Sequence, residues 1–224
     1  MIKNIEYNQV VIETSSCPLC ASSVPCAHLA GPKARDYLLC PNCQLIFMAR
    51  ELLPDPATEE ARYQAHQNGP QDEGYVRFLN LAITPALPWL NENMHGLDFG
   101  CGPTPTLSGL LRQHGLHCDN YDPYFFPALP EKQFDFIFAT EVVEHFYNPA
   151  RELQQLSALL KQGGILTIMT EAWTTVEGFA DWHYAKDITH VCFYHASTIE
   201  FICARYGFEI LNRDTPRVTV FRKL

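Results

Sequence analysis

The sequence predicts an α/β fold, in which a mainly parallel sheet ends in a terminal hairpin and follows a small cysteine-bearing module. Three observations predict this fold. Strand and helix patterns alternate over residues 96–224. A Gly-x-Gly turn follows the first apolar strand of that region and precedes a helix pattern. Two Cys-x-x-Cys pairs lie near the amino terminus.

The composition limits what the chain can do. Its 224 residues are enough for one domain of ordinary size and a small module. A formal net charge of -9 disfavours nucleic-acid binding, which depends on lysine and arginine side chains that neutralise phosphates. No apolar run is long enough to span a membrane, and the first residues do not resemble a signal peptide. We therefore expect a cytoplasmic protein whose nine cysteines form no disulfides.

The two cysteine pairs predict a zinc module over residues 1–50. The pairs are nineteen residues apart, which matches the spacing of a four-thiolate zinc site. The four ligands would be Cys17, Cys20, Cys40 and Cys43. A short hairpin would join the two turns, with strands at residues 10–12 and 36–39. Because so small a piece has little core, bound metal would supply folding free energy.

Two alternatives to this zinc site stay open at the level of the sequence. The four cysteines could be free thiols that pack as small hydrophobic side chains. Cys26 or His28, which lie between the pairs, could replace one ligand. Four thiolates would leave no open coordination position, so we expect the zinc to be structural rather than catalytic.

Residues 51–95 are predicted to form a linker with two helices. Two prolines, Pro54 and Pro56, interrupt the chain after the cysteine module. Helix patterns follow over residues 57–67 and 74–86, and the stretch between them is polar.

The first strand of the larger region ends in a glycine turn that includes Asp98, Gly100, Cys101 and Gly102. Glycine suits this turn because a Cβ would obstruct a nucleotide-like ligand and because the turn can require a positive φ. A helix pattern follows over residues 106–114. The third glycine of the dinucleotide fingerprint is missing, which disfavours NAD.

Acidic residues and a Glu-His pair follow the next two strands. Asp122 ends a strand about twenty residues past the glycine turn, where a carboxylate can accept both hydroxyls of a ribose. The following apolar strand, residues 134–139, runs into Glu141 and then into Glu144 and His145. The remaining patterns are a helix, a strand, a helix and a hairpin, at residues 149–160, 165–170, 197–206 and 207–221.

This ordered set of motifs resembles the class I S-adenosylmethionine-dependent methyltransferases. It is most similar to the group with a Glu-His pair after the fourth strand, which includes many small-molecule O- and C-methyltransferases. The resemblance covers residues 96–224. It implies a Rossmann-like, mainly parallel sheet with an antiparallel last strand, and S-adenosylmethionine as the cofactor.

The resemblance also implies a cofactor site. Asp98 and the turn at residues 100–102 would face the amino-acid end and the ribose of the cofactor. Asp122 would accept the ribose hydroxyls, although it could instead stabilise a turn before Pro123. Glu141 would line the cofactor or substrate pocket.

The spacing departs from the family after Asp122. Only about a dozen residues separate Asp122 from Phe134, where the family has a strand and one or two helices. We therefore expect the third strand of the usual sheet to be shortened or absent. Pro123, Tyr124 and Phe125 fill the gap, and the two aromatic rings could stack on adenine.

In class I enzymes, helices before the first strand often cover the cofactor. Tyr63, His66 and Tyr75 could therefore line the pocket, or they could belong to a solvated loop between packing helices.

The segment at residues 179–195 mixes aromatic and polar side chains, as a specific small-molecule pocket does. In this family the corresponding connection often closes over the acceptor. His190 is the first candidate for a general base, oriented by Asp187 or by a backbone carbonyl, and His145 is the second. Tyr184 would shape the pocket.

Other interpretations of these residues stay open. His190 could be a structural histidine that ties the loop to the sheet. Asp181, Asp187 and His190 could bind a cation, although their spacing is not a recognised ligand pattern. We expect His183 and His195 at the surface or at a helix cap.

The sequence thus predicts an enzyme that transfers a methyl group from S-adenosylmethionine to a small-molecule acceptor, by in-line displacement with a histidine base. One alternative is a methyltransferase that acts on RNA or protein and docks it with the zinc module. Another is a non-catalytic partner subunit that keeps the cofactor-binding fold. The aromatic-rich module could also form a homodimer contact.

Overall fold

The computed structural model describes residues 16–65 and 68–224. The strand predicted at residues 10–12 and the pocket candidate His66 lie outside the described residues. The strands of the described part are β1 (Ala27–Ala30), β2 (Asp36–Leu39), β3 (Ile46–Met48), β4 (His95–Phe99), β5 (His117–Tyr121), β6 (Phe134–Thr140), β7 (Leu160–Met169), β8 (Cys192–Phe193), β9 (Phe208–Asn212) and β10 (Val218–Lys223). Its α-helices are α1 (Pro56–Gln64), α2 (Glu73–Ala86), α3 (Thr106–Gln113), α4 (Pro149–Leu159) and α5 (Ala196–Tyr206).

The larger sheet has six strands in the order β5-β4-β6-β7-β10-β9. The first four are parallel, whereas β10 is antiparallel to both of its neighbours. This is the Rossmann-like, mainly parallel sheet with an antiparallel last strand that the sequence predicts. Side chains of β6 alternate between the two faces. Phe136 and Phe138 pack with residues of α2 and α3, and Ile137 and Ala139 belong to the core that includes α4 and α5.

The sheet ends at β5 because the chain forms no further strand between Asp122 and Phe134. All residues of that stretch are described, and they form only an isolated bridge between Asp122 and Phe126. The predicted loss of the third strand is therefore confirmed. The short loop stays near the carboxyl ends of β4 and β5, where the glycine turn also lies.

A smaller antiparallel sheet contains the cysteine module, with the order β1-β2-β3-β8. The sequence predicts β2 but not its partners β1 and β3, nor β8, which pairs with β3. Because β8 comes from residues far along the chain, this sheet joins the module to the larger region. The ring of Tyr37 packs edge-on against Phe179 and Phe193, with centroid distances of 5.1 and 5.6 Å. The module boundary at residue 50 stays a prediction, and both the sheet and the hydrophobic core continue across it.

Two helices precede the larger sheet, close to their predicted positions. Asp55 caps α1 by accepting a hydrogen bond from the Thr58 amide at 3.0 Å, and Asp72 caps α2 in the same way. Leu79 and Ile83 of α2 are buried against the larger sheet, whereas α1 is mainly polar. In the described part of the chain, no helix has the length and apolar character needed to cross a membrane.

Candidate active site

A cavity of about 1040 Å³ opens at the carboxyl ends of the parallel strands. The loops after β4, β5 and β6 line it, together with α1, α2 and the connection between β7 and β8. We call that connection, residues 170–191, the acceptor segment. Most of the predicted cofactor-binding residues line this cavity: Gly100, Cys101, Gly102, Asp122, Pro123, Tyr124 and Glu141.

The glycine turn has two different requirements for glycine. Gly100 has a φ of 78°, and a Cβ there would lie 2.4 Å from a methyl group of Val142. Gly102 has a φ of 65°, but a Cβ there would meet nothing within 4 Å. Packing and conformation therefore both select glycine at residue 100. At residue 102 the conformation selects glycine and leaves the backbone open to a ligand.

Asp122 stabilises the turn that follows β5. Its carboxylate accepts hydrogen bonds from the amides of Gly102, Tyr124 and Phe125, at 3.0, 2.9 and 3.2 Å. This is the turn role that the sequence allows as the alternative for Asp122. An ionised carboxylate has about four acceptor positions, so one is left toward the cavity for a ribose hydroxyl. The contact with ribose stays a prediction.

Asp98 lies beneath the glycine turn and is 1% exposed. Neither of its carboxyl oxygens has a hydrogen-bond partner among the described residues. Burial, together with the nearby charge of Asp122, raises the pKa of Asp98 to about 7. A buried carboxyl without a partner is costly, so this residue suits a site that receives a positive charge.

The helix α1 covers the cofactor half of the cavity through Glu59. This carboxylate accepts a hydrogen bond from the Tyr63 hydroxyl at 2.7 Å and from the Tyr124 hydroxyl at 2.6 Å. Tyr63 and Tyr75 line the cavity, as the first of the two sequence interpretations expects. Glu59 was not predicted, because a glutamate on a polar helix has the pattern of a solvated residue.

The acceptor half of the cavity contains His145 and His190, whose ring centroids are 4.8 Å apart. Nδ1 of His190 lies 2.7 Å from the carbonyl oxygen of Tyr184, and Nδ1 of His145 lies 2.9 Å from that of Thr189. A carbonyl only accepts, so each Nδ1 carries the hydrogen and each Nε2 keeps its lone pair. Burial lowers the pKa of both rings, that of His190 to about 3. Both rings are therefore neutral at pH 7.

The sequence predicts that either Asp187 or a backbone carbonyl orients the His190 ring. In the structure it is the backbone carbonyl of Tyr184 that holds the ring. The carboxylate of Asp187 instead accepts from the Thr189 amide and hydroxyl, at 3.0 and 2.7 Å, and from Arg62 at 2.6 Å. Burial alone would raise the pKa of Asp187, but these hydrogen bonds hold it below its usual range. Asp187 thus ties α1 to the acceptor segment through Arg62.

Tyr184 and Glu144 form a buried pair beside the histidines. The Tyr184 hydroxyl lies 2.5 Å from Oε1 of Glu144, to which it donates, and 3.2 Å from the Thr170 hydroxyl. Glu144 is fully buried, which excludes a solvated Glu-His pair, and its Oε2 has no partner among the described residues. Burial raises the pKa of Glu144 to about 7.

Arg217 is a site residue that the sequence did not predict. It donates to Glu141 at 3.0 Å and also to Glu171. Its guanidinium lies 5.5 Å from the ring centroid of Phe78 and 5.6 Å from that of Tyr184. Arg217 precedes the last strand and belongs to no motif, so only the folded chain brings it to the cavity.

The remaining polar candidates lie outside this cluster. His195 caps α5 by accepting from the Ser197 amide, and His183 is exposed near Glu171, as expected. Asp181 is exposed and joins neither Asp187 nor His190 in a group that could hold a metal. The cation site considered for these three residues is therefore not assembled.

Comparison with known proteins identifies the family. Residues 71–212, more than half of the chain, match the family described as methyltransferase domain. The chain belongs to this family. It is a methyltransferase that uses S-adenosylmethionine. A separate comparison with curated proteins gave no significant match.

Several solved methyltransferases are similar to this chain at low identity. A SAM-dependent methyltransferase from Thermotoga maritima is 16% identical over 75% of this chain and 95% of that chain, with a TM-score of 0.44. Magnesium protoporphyrin IX methyltransferase from Synechocystis PCC 6803, solved with bound SAM, is 15% identical over 78% and 95%, with a TM-score of 0.46. A SAM-dependent methyltransferase from Methanosarcina mazei is 15% identical over 62% and 96%, with a TM-score of 0.46. These likenesses concern the fold alone.

The residues of the methyltransferase cavity fit this cofactor. The open space at Gly102 admits a ligand against the backbone. Asp98 does not line the cavity, but its unpartnered carboxyl lies just before the glycine turn and suits the ammonium group of the amino-acid end. Asp122 keeps one acceptor position for a ribose hydroxyl. Tyr124 and Phe125 line the part of the cavity where the adenine contacts are predicted.

The four predicted zinc ligands of the methyltransferase lie together. Their sulfur atoms are all within 4.8 Å of one another. The Cys17–Cys43 and Cys20–Cys40 sulfur distances are both 3.6 Å. Sulfurs bound tetrahedrally to zinc at about 2.3 Å stand roughly 3.8 Å apart, so these two sulfur–sulfur distances are already close to those of a zinc site.

The two cysteine turns have the same backbone geometry. The amides of Ala21 and Gln44 each donate to the carbonyl of the first cysteine of their pair, both at 2.9 Å. Both residues have positive φ, 54° and 59°. Of the alternative ligands, His28 pairs with Asp36 at 2.7 Å, and Cys26 lies near the carbonyl of Val24.

Proposed function

We propose that this methyltransferase acts on a small-molecule acceptor. The observation that carries the proposal is a single cavity that contains both the glycine turn and the two histidines. Its volume of about 1040 Å³ and its mixture of aromatic and polar side chains suit a cofactor together with a small acceptor. No feature of the described residues favours a macromolecular acceptor.

The cofactor would lie against the glycine turn, with its amino-acid end toward Asp98. Asp122 would accept a ribose hydroxyl, and Tyr124 would pack against the adenine. Glu141, held by Arg217, would line the cavity between the cofactor and acceptor halves. The cofactor supplies an electrophilic methyl group, and the protein supplies alignment with the acceptor.

His190 would take the proton of the acceptor through Nε2, and His145 would be the second candidate. The backbone carbonyl of Tyr184 holds the ring with Nε2 free. The low pKa of His190 makes it a weak base, so we expect proton transfer to contribute less than alignment does. Tyr184, fixed by Glu144, would shape the acceptor half.

The four-cysteine cluster would hold a structural zinc ion, because the four thiolates fill a tetrahedral shell. The described residues contain no disulfide, which suits the cytoplasmic location that we also propose. A homodimer contact through the module stays a prediction.

Calorimetric titration with S-adenosylhomocysteine tests the cofactor site. Wild-type protein should bind it, and Asp122→Ala should lower the affinity at least about tenfold, the loss of a charge-assisted hydrogen bond. Asp119→Ala is the matched control. It removes a carboxylate from the same strand, where Asp119 binds Lys132 and His95 outside the cavity. Equal losses in the two variants would contradict the proposed role of Asp122.

Turnover of a suitable acceptor tests the base. His190→Ala should lower kcat by about a hundredfold, the low end of general-base effects, with cofactor affinity unchanged. Unchanged kcat in this variant would remove His190 from the mechanism.

A further inference from the structure

We propose that Glu144, His145 and His190 form a binding site for one divalent transition-metal ion, separate from the four-cysteine cluster. One ligand atom from each residue lies within 4.8 Å of the other two. His145 and His190 line the cavity, so an ion held by the three residues would have coordination positions open toward the acceptor.

Each imidazole ring has one nitrogen held by the backbone and one nitrogen left for a metal ion. Each donates its Nδ1 hydrogen to a backbone carbonyl, of Thr189 for His145 and of Tyr184 for His190. Such an outer hydrogen bond fixes the tautomer of a metal-ligating histidine and the direction of its Nε2 lone pair. Neither Nε2 atom has a hydrogen-bond partner among the residues that the structure describes.

Glu144 supplies an independent observation. Its side chain is fully buried, and Oε1 is held by the Tyr184 hydroxyl at 2.5 Å. Oε2 has no hydrogen-bond partner in the described part of the chain. A buried carboxylate needs a partner or a metal ion. Tyr184 and Thr170 lie beside this carboxyl group, Glu141 and Arg217 carry charge nearby, and the two histidines complete a set of metal-binding donors.

The donor set selects the ion. Two imidazoles and one carboxylate suit zinc, cobalt, nickel or iron, whereas magnesium and calcium prefer oxygen ligands. Bonds of about 2.0–2.2 Å would draw the three donor atoms to roughly 3–3.5 Å from one another. An ion and a proton compete for the same Nε2 lone pairs, so the base role proposed above is that of the metal-free protein.

Cobalt(II) titration of the protein with its cysteine cluster loaded with zinc tests the site. Wild-type protein should bind one further Co²⁺ per chain, with d–d absorption of nitrogen and oxygen ligands and no sulfur-to-cobalt charge transfer. Binding is read directly, so the result does not depend on whether the acceptor or the base is correctly assigned. A wild-type protein that binds no further Co²⁺ would overturn the proposal and leave methyl transfer untouched.

Three variants locate the ion. Glu144→Gln, His145→Gln and His190→Gln should each weaken Co²⁺ binding at least tenfold. His183→Gln is the matched control, because this exposed histidine belongs to the same segment and lies outside the cluster. Thermal melting checks that each variant is folded. Equal Co²⁺ affinity in all four variants and the wild type would place the ion elsewhere and refute the assignment.

Discussion

Gly102 shows how one residue can be tested for a ligand contact rather than for folding. Gly102→Ala forces a Cβ into a left-handed backbone, which costs about 1–2 kcal/mol, and places a methyl group in the cavity. We expect a loss of stability of that size and at least a tenfold loss of S-adenosylhomocysteine affinity. Chemical denaturation and calorimetry measure the two quantities.

The matched control is Gly163→Ala. Gly163 has a φ of 75°, and a Cβ there would also meet nothing within 4 Å, but this glycine does not line the cavity. The Gly163→Ala variant should therefore lose a similar amount of stability but keep the cofactor affinity of the wild type. Equal affinities in the two variants would mean that the cofactor does not approach residue 102.

Asp98 makes the stability of the cofactor-free protein depend on pH. Its pKa is raised from 3.8 to about 7 in the folded state, so the carboxyl is neutral in both states below pH 4. Between pH 4 and 7 the unfolded chain ionises first, and stability therefore falls as pH rises. We expect a loss on the order of 3 kcal/mol across this window relative to Asp98→Asn. Urea denaturation at several pH values measures it, and parallel curves for the two proteins would contradict the assignment.

Residues within motifs could be predicted from the sequence, and residues outside them could not. Gly102 and His190 stand at a strand end and in a distinctive segment, so their position in the chain indicates their place in the cavity. Asp98, which was predicted from the same turn, is buried and does not line the cavity. Glu59 reaches the cavity from a polar helix, and Arg217 reaches it from the residue just before the last strand. Their contacts depend on packing between elements far apart in sequence, which a local pattern does not contain.

At the scale of elements, the two cysteine turns can be separated from their neighbours by substitution. Cys43→Ser should lose stoichiometric zinc and lower the Tm by at least about 10 °C, because the metal supplies folding free energy. Cys26→Ser, a change of the same kind at a buried cysteine outside the cluster, should keep the zinc. Metal analysis and calorimetry measure both effects. Zinc lost from Cys26→Ser and kept by Cys43→Ser would show that the ligand set is wrong.

Helices and strands were predicted well where the hydrophobic period and the length of the segment indicated the same type of element. The long strands and helices after residue 95 were predicted within a few residues, apart from β7, which begins five residues early. The strands β3 and β8 have three and two residues, too few to show a period. Their pairing is set by contacts between distant parts of the chain, such as the hydrogen bond from the Met48 amide to the Val191 carbonyl at 2.9 Å.

At the scale of the whole molecule, the cysteine module and the methyltransferase domain share one core. Removal of residues 1–50 would delete β1, β2 and β3 and expose Phe179 and Phe193, which are buried against Tyr37. We expect the shortened chain to lose its cooperative thermal transition and its cofactor binding. Calorimetry measures both. A cooperative melt with wild-type cofactor affinity would show that the module is a separate domain.

The mainly parallel sheet with an antiparallel last strand followed from the family resemblance, and the loss of one strand followed from the short spacing after Asp122. The common hydrophobic core of the cysteine module and the methyltransferase domain could not be predicted from the sequence. A boundary drawn from composition separates residues 1–50, whereas the smaller sheet takes its last strand from residues 192–193.

The acceptor segment is fastened to the cysteine module near both of its ends. The indole of Trp173 donates to the Gln44 carbonyl at 3.1 Å, and Val191 accepts from Met48 just before β8. Between these two points the segment is also held in its middle, because Phe179 packs against Tyr37 and the Asp187 carboxylate pairs with Arg62 at 2.6 Å. The segment is therefore a bridge clamped along its length rather than a free loop. A change in the cysteine module would shift the histidines of the cavity, whereas the glycine turn lies on other strands and would keep its geometry.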